Sequence, residues 1–330
     1  MYSSSNRTLW IDQMRGICMM AILLFHTEAY YNDGREIIPY NFYVANVLVA
    51  FFFLSGYLFH SDITTFIFSR KMRSIIRRII FPYFSFTLLL ALPKAAMTDY
   101  SLQEVITRIL EGKGSWFIAT LAIAEIEFAC AMLIRRTWLF HFLPWIALAG
   151  AFLLTGHLNN EYNYWKIHNS LIAYFFVYIG YMYRQYEPRL RMFSKPLVTL
   201  LCLLLLVVIK IYVQRTHQSW VIDGVEVTCY PLFIVDMLLG ICLLRNLISP
   251  LPRIPFIQYT GMHSLTYYFF CGAVPMAVTK LLHHFSFYYE GQYWHIIVAF
   301  ALVYIISTVI AWLFSNYFVF LHKITAWRRR

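Results

Sequence analysis

The chain alternates long apolar runs with short polar ones, and ten runs stand out. They are Leu9–Tyr30, Tyr40–His60, Ile79–Met97, Ser115–Ile134, Trp138–Gly156, Trp165–Tyr183, Leu197–Val213, Cys229–Leu244, Tyr259–Leu282 and Trp294–Leu321. Each comes near the roughly 20 residues that an α-helix needs to cross a bilayer. No polar segment between them exceeds about 20 residues, too short for a folded domain of the usual 50 or more. The pattern predicts an all-α, polytopic integral membrane protein with about ten transmembrane helices in one bundle. Residues 1–330 then form a single membrane-embedded domain with no separate soluble domain.

Composition agrees: 60% of residues are hydrophobic, 13% are charged and mean hydropathy is +0.60. Most of the 27 Lys and Arg fall in alternate segments, chiefly Arg70–Arg78, Arg135–Arg136, Arg184–Lys195, Arg245–Arg253 and Lys323–Arg330. The positive-inside rule places these segments, and both termini, in the cytoplasm. The net charge of +11 then reflects orientation against anionic lipid, and no basic stripe on a soluble domain exists to bind nucleic acid. Tryptophans near the predicted ends (Trp10, Trp116, Trp138, Trp165, Trp294, Trp327) form an interfacial belt. Pro82 falls in the first turn of the third helix, where a missing N–H costs little. The six cysteines include no CxxC pair and no metal-ligand spacing, and read as small core residues. The first helix is long, contains Arg15 and lacks a small-x-small cleavage site, so it is expected to persist in the mature protein.

Ionisable residues at membrane depth are the candidates for chemistry, because charge there usually faces a cavity or a partner. Arg15 and His26 are eleven residues apart, so on a helix they lie about 20° apart around the axis and roughly 16 Å apart along it. One face thus carries a fixed cation near one side and a titratable imidazole near the other. The plainer alternative has Arg15 snorkelling beside Asp12 and His26 sitting in the headgroup zone. Glu28, about 200° from His26, belongs to another face. In FFFLSGYLF, Ser55-Gly56 permits close helix packing. The cations of RKMRSIIRRIIFPY, among them Arg73, Arg77 and Arg78, suit either anionic lipid or the phosphates of a nucleotide-bearing cofactor. Glu125, Glu127 and Asp236 at mid-helix imply a polar interior.

Together these motifs resemble the integral-membrane acyltransferase-3 family, whose members O-acylate bacterial surface polysaccharides and related glycans. Its first-helix arginine, ten residues and histidine match Arg15 and His26 in WIDQMRGICMMAILLFH; its SGF/YL turn matches Ser55 to Leu58. Its R-I/L-x-x-P-Y run matches Arg78 to Tyr83, its WF matches Trp116-Phe117, and its late G-x-x-S-L-x-x-Y matches Gly261 to Tyr268. Many members place a second histidine shortly afterwards, where this chain has Cys271, and His263 is no substitute. The resemblance implies a stand-alone, multi-pass O-acetyltransferase of the bacterial inner membrane. It implies acetyl-CoA, or another acyl-CoA, as donor from the cytoplasm, with a glycan or lipid-linked sugar as acceptor and no metal. His26 would act as base or as acyl carrier, and Arg15, Arg73, Arg77 and Arg78 would hold CoA phosphates. Ser55, Trp116, Glu125 and Asp236 would line the substrate path or polar interior, with membrane lipid around the bundle and a homo-oligomer left open. The alternative function is a glycan-intermediate exporter or flippase without catalysis.

Overall fold

A computed structural model describes residues 5–59, 66–97, 100–157 and 160–317, and 79% of the chain is helical. The helices are α1 (Ser5–Tyr31), α2 (Tyr40–Leu58), α3 (Phe68–Ile75), α4 (Phe81–Leu89), α5 (Ala91–Met97), α6 (Leu102–Leu110), α7 (Trp116–Ala131) and α8 (Leu139–Leu154). They continue with α9 (Ile167–Tyr186), α10 (Pro196–Arg215), α11 (Tyr230–Ile248), α12 (Pro255–Met262), α13 (Ser264–Phe270), α14 (Ala273–His284) and α15 (Tyr293–Tyr317). Between α10 and α11 a short antiparallel hairpin pairs β1 (Trp220–Val221) with β2 (Glu226–Val227).

Among the described residues, six helices are long and apolar enough to cross a membrane: α1, α2, α7 with the turn that follows it, α10, α11 and α15. The expected single span Tyr259–Leu282 is instead three helices, with a bend of 51° between α13 and α14 at Cys271-Gly272. The other three expected spans are helical but fall short in length or apolarity. The expected Ile79–Met97 helix starts earlier, at Phe68, and runs through a π turn at Ile76–Ile80 into α4. Pro82 therefore sits inside a continuous helical run rather than at its start. Its ring would collide with the carbonyl one turn back, and the wider π turn just before it makes room. Helix α8 has only 16 residues and contains Pro144, and α9 carries Asn169, Ser170 and a row of tyrosines. The expected ends at His60 and Leu321, with Lys323 and Arg328 to Arg330, lie outside the described residues.

Burial separates centre from rim. In α2, 72% of the apolar window is buried, against 28% in α10 and α15, whose leucines and isoleucines face outward as lipid-facing residues do. Helix α1 packs against α2, α11, α12, α13, α14 and α15, while α9 is enclosed by α2, α7 and α8, which is why it tolerates polar residues. Two crossings bring backbones into direct contact. A Cβ on Gly16 would lie 2.0 Å from the Ile257 carbonyl oxygen and one on Gly261 1.7 Å from that of Asp12, joining α1 to α12. Gly56 meets Val177 and Gly180 meets Phe53 in the same way, joining α2 to α9. Small residues at such crossings replace the hydrophobic driving force that lipid removes.

Candidate active site

Helix α1 is unbroken from Ser5 to Tyr31, so the ~20° offset and ~16 Å rise between Arg15 and His26 hold in the folded chain. The half-buried His26 ring meets Phe25 edge-on at 5.6 Å and stacks with Tyr30 at 6.4 Å. It forms no hydrogen bond with any described residue. The hydroxyl of Tyr30 points at the α13–α14 break, 3.6 Å from where a Cβ on Gly272 would lie. Cys271, buried in that break, is within electrostatic reach of Tyr30 and Tyr268. The Tyr268 ring in turn lies 5.3 Å from Phe117, beside the buried Ser115 Oγ and next to the half-buried Trp116. Tyr83 fixes this corner: its hydroxyl donates to the Ile109 carbonyl at 2.8 Å and accepts from the Gly114 N–H at 3.1 Å. A series of contacts through Tyr30, the α13–α14 break and Tyr268 therefore links separate motif segments at this end of α1. Glu28 is committed elsewhere, accepting from the Tyr293 hydroxyl and from the Ile38 N–H at 3.3 Å.

The opposite end of the bundle is basic. Arg70, Arg73 and Arg77, spaced to share a helix face, are exposed and form no ion pair or hydrogen bond with described residues; Arg78 is exposed beside them. Below them Lys71 pairs with Glu125 Oε2 at 2.8 Å and lies 3.6 Å from the Phe59 ring centre, while Ser55 Oγ donates to Glu125 Oε1 at 2.5 Å. Ser55 thus does more than permit packing. It shares with Lys71 the neutralisation of a carboxylate that would be costly alone. On the same side Trp10 packs edge-on against Tyr57 at 5.2 Å; the Tyr57 hydroxyl accepts from Arg184 at 2.6 Å and donates to Glu187 at 2.8 Å.

Residues 8–316 match the family model described as an acyltransferase domain, that of acyltransferase-3. The chain belongs to this family. It is a multi-pass membrane acyltransferase, and the match takes in every motif segment just described. No curated protein and no solved structure matches the chain.

Asp236, another carboxylate of the acyltransferase named from sequence, is fully buried with its own cation. Lys210 Nζ reaches Asp236 Oδ2 at 2.6 Å, Asn46 Oδ1 at 2.8 Å and the Asn41 carbonyl at 2.7 Å, and Asn46 Nδ2 donates to Asp236 Oδ2 at 2.8 Å. Glu127 accepts from Ser170 at 2.8 Å while its second oxygen is buried without a hydrogen-bond partner among the described residues. His263 sits at the α12–α13 junction against Tyr259, away from the position of Cys271 in the break. Sequence reasoning missed Lys210 and Asn46 as network residues, and it named Lys71 only within the basic run and Tyr268 only within the late motif. For Lys210 a signal existed: it is the only charged residue inside the apolar run Leu197–Val213.

Proposed function

We propose that the protein transfers an acetyl group from cytoplasmic acetyl-CoA to a hydroxyl of a cell-envelope sugar or polysaccharide, from the bacterial inner membrane. The observation that carries this reading is the His26 imidazole, without a hydrogen-bond partner among the described residues, on one unbroken helix with Arg15 and beside the α13–α14 break. The exposed cations Arg73, Arg77 and Arg78, with Arg15, bind the CoA phosphates, and the pantetheine arm extends along α1 toward His26. One imidazole nitrogen takes the proton of the acceptor hydroxyl, the general-base role that histidine fills most often. The hydroxyl oxygen attacks the thioester carbonyl, the C–O bond forms, the C–S bond breaks, and the imidazolium returns its proton to the CoA thiolate. Transfer through an acyl-histidine uses the same residue in two steps. Trp116, Ser55 and Glu125 line the path between the two ends.

Membranes carrying His26→Ala should lose about 10²- to 10⁴-fold of acetyl transfer to envelope glycan, the usual contribution of a general base. Arg15→Ala should lose activity mainly through a raised KM for acetyl-CoA. Full activity in either variant contradicts the assignment. A glycan exporter would share the broken α13–α14 helix, although transporters usually carry paired breaks. Release of free thiol from acetyl-CoA by the purified protein decides for the enzyme, and its absence for the exporter.

A further inference from the structure

At the His26 end of the bundle, between the α1–α2 loop and the end of α10, lies a pocket of about 300 Å³ whose polar lining includes Glu36, Gln214, His217, Gln218 and Ser219. Asn41 also lines it, and both polar atoms of its amide side chain are engaged. The Asn41 Nδ2 donates to the Gln218 carbonyl at 2.5 Å and its Oδ1 accepts from the Trp220 N–H at 3.0 Å. The Asn41 carbonyl accepts from Lys210, so the buried Lys210–Asp236 pair helps to hold this residue in place. Most of the other polar side chains are free. Gln214, His217 and Ser219 have no side-chain hydrogen-bond partner among the described residues, Glu36 uses one carboxylate oxygen, for the Tyr40 N–H at 3.0 Å, and Gln218 Oε1 accepts from the Thr228 hydroxyl at 2.6 Å.

Asn41 is thus held in place before anything binds, and the free side chains around it are available to bond a ligand at the cost of their own ordering. The wall chemistry selects its ligand. Amides, a hydroxyl, an imidazole and a carboxylate offer donors and acceptors together, which suits a ring carrying several hydroxyls. No lysine or arginine lines the pocket, so a phosphate or carboxylate would meet no counter-charge and would face Glu36. Tyr40, which also lines the pocket, supplies an aromatic edge and connects it to the reaction centre: its ring meets Phe25 at 5.6 Å, and Phe25 meets His26.

We infer that this pocket is a binding subsite for a neutral, hydroxyl-rich saccharide ring of the acceptor, adjoining the ring presented to His26. The inference rests on the sugar acceptor proposed above and gives it a location. The test is saturation-transfer NMR on the full chain in detergent, without acetyl-CoA, using methyl glycosides of neutral hexoses as probes and inorganic phosphate as a competitor. Wild type should transfer saturation to glycoside ring protons, and phosphate should not displace them. Gln214→Trp fills the pocket from an exposed helix position and should weaken binding about tenfold; Glu36→Gln, which still accepts from Tyr40, should weaken it by a smaller factor. Equal glycoside signals in wild type and Gln214→Trp, or displacement by phosphate, overturn the subsite. Because this readout is binding alone, it stands even if the protein transfers no acetyl group. Conversely, acetyl transfer by Gln214→Trp with an unchanged acceptor KM overturns the subsite and leaves the enzyme reading intact.

Discussion

Lys210 and Asp236 are 8% and 0% exposed at their side chains, and each is tolerable at that depth only because of the other. Truncating one partner leaves an uncompensated buried charge. Asp236→Ala is expected to destabilise the protein by about 3–5 kcal/mol, whereas Lys210→Met with Asp236→Leu should be close to neutral. Thermal unfolding in detergent measures both, and equal losses from the single and the double variant would contradict the pairing. Sequence made half of this legible. A carboxylate inside an apolar helix demands a partner whatever the fold, but which partner depends on how α10, α2 and α11 meet, and no local pattern records that. The same holds for Glu125, whose cation Lys71 was visible only as one of a run of basic residues. His26 was legible because its relation to Arg15 lies within one helix, where spacing alone sets geometry. The placing of Tyr30 against the Gly272 position and of Tyr268 against Phe117 was not, since both are set across the bundle.

Among the elements, the α1–α12 crossing controls where Arg15 and His26 stand relative to the broken helix. The Gly261 position leaves no room for a side chain, with a Cβ meeting backbone rather than a flexible tip. Gly261→Leu should therefore separate the two helices and lower both folded yield and thermal stability sharply, while Ala substituted at Gly150, whose added Cβ would meet only the Leu171 side chain at 3.7 Å, should be tolerated. Comparable melting temperatures for the two variants would contradict the close crossing. The long apolar helices were legible, because runs of apolar residues near membrane length have few alternatives, whereas the short α6 (Leu102–Leu110) falls outside every expected run. Helix breaks were less so. The run from Tyr259 to Leu282 is apolar enough to read as one span, and its interruption was marked only by Gly272 and by Pro275 in the first turn of α14. The start of α3 at Phe68 escaped notice for the opposite reason: the expected span began only where the apolar run does, at Ile79, yet Arg, Lys and Met are good helix formers.

At the scale of the whole molecule, the acyltransferase has two chemically different ends joined by α1. One end holds exposed arginines and the Lys71–Glu125–Ser55 cluster; the other holds His26, the α13–α14 break and the braced polar pocket. The rise of roughly 16 Å between Arg15 and the imidazole suits the proposed reading, in which a charged donor is held at one end of α1 and an acceptor is served at the other. The central claim is thus a transfer across the bilayer through His26. Its most direct measurement uses proteoliposomes of uniform orientation, with acetyl-labelled acetyl-CoA supplied only on the side of Arg73 and Arg77 and a glycan acceptor only on the other. Label should reach the acceptor in wild type and not in His26→Ala. Label transferred only when donor and acceptor share a side, or transferred equally by His26→Ala, would contradict the account.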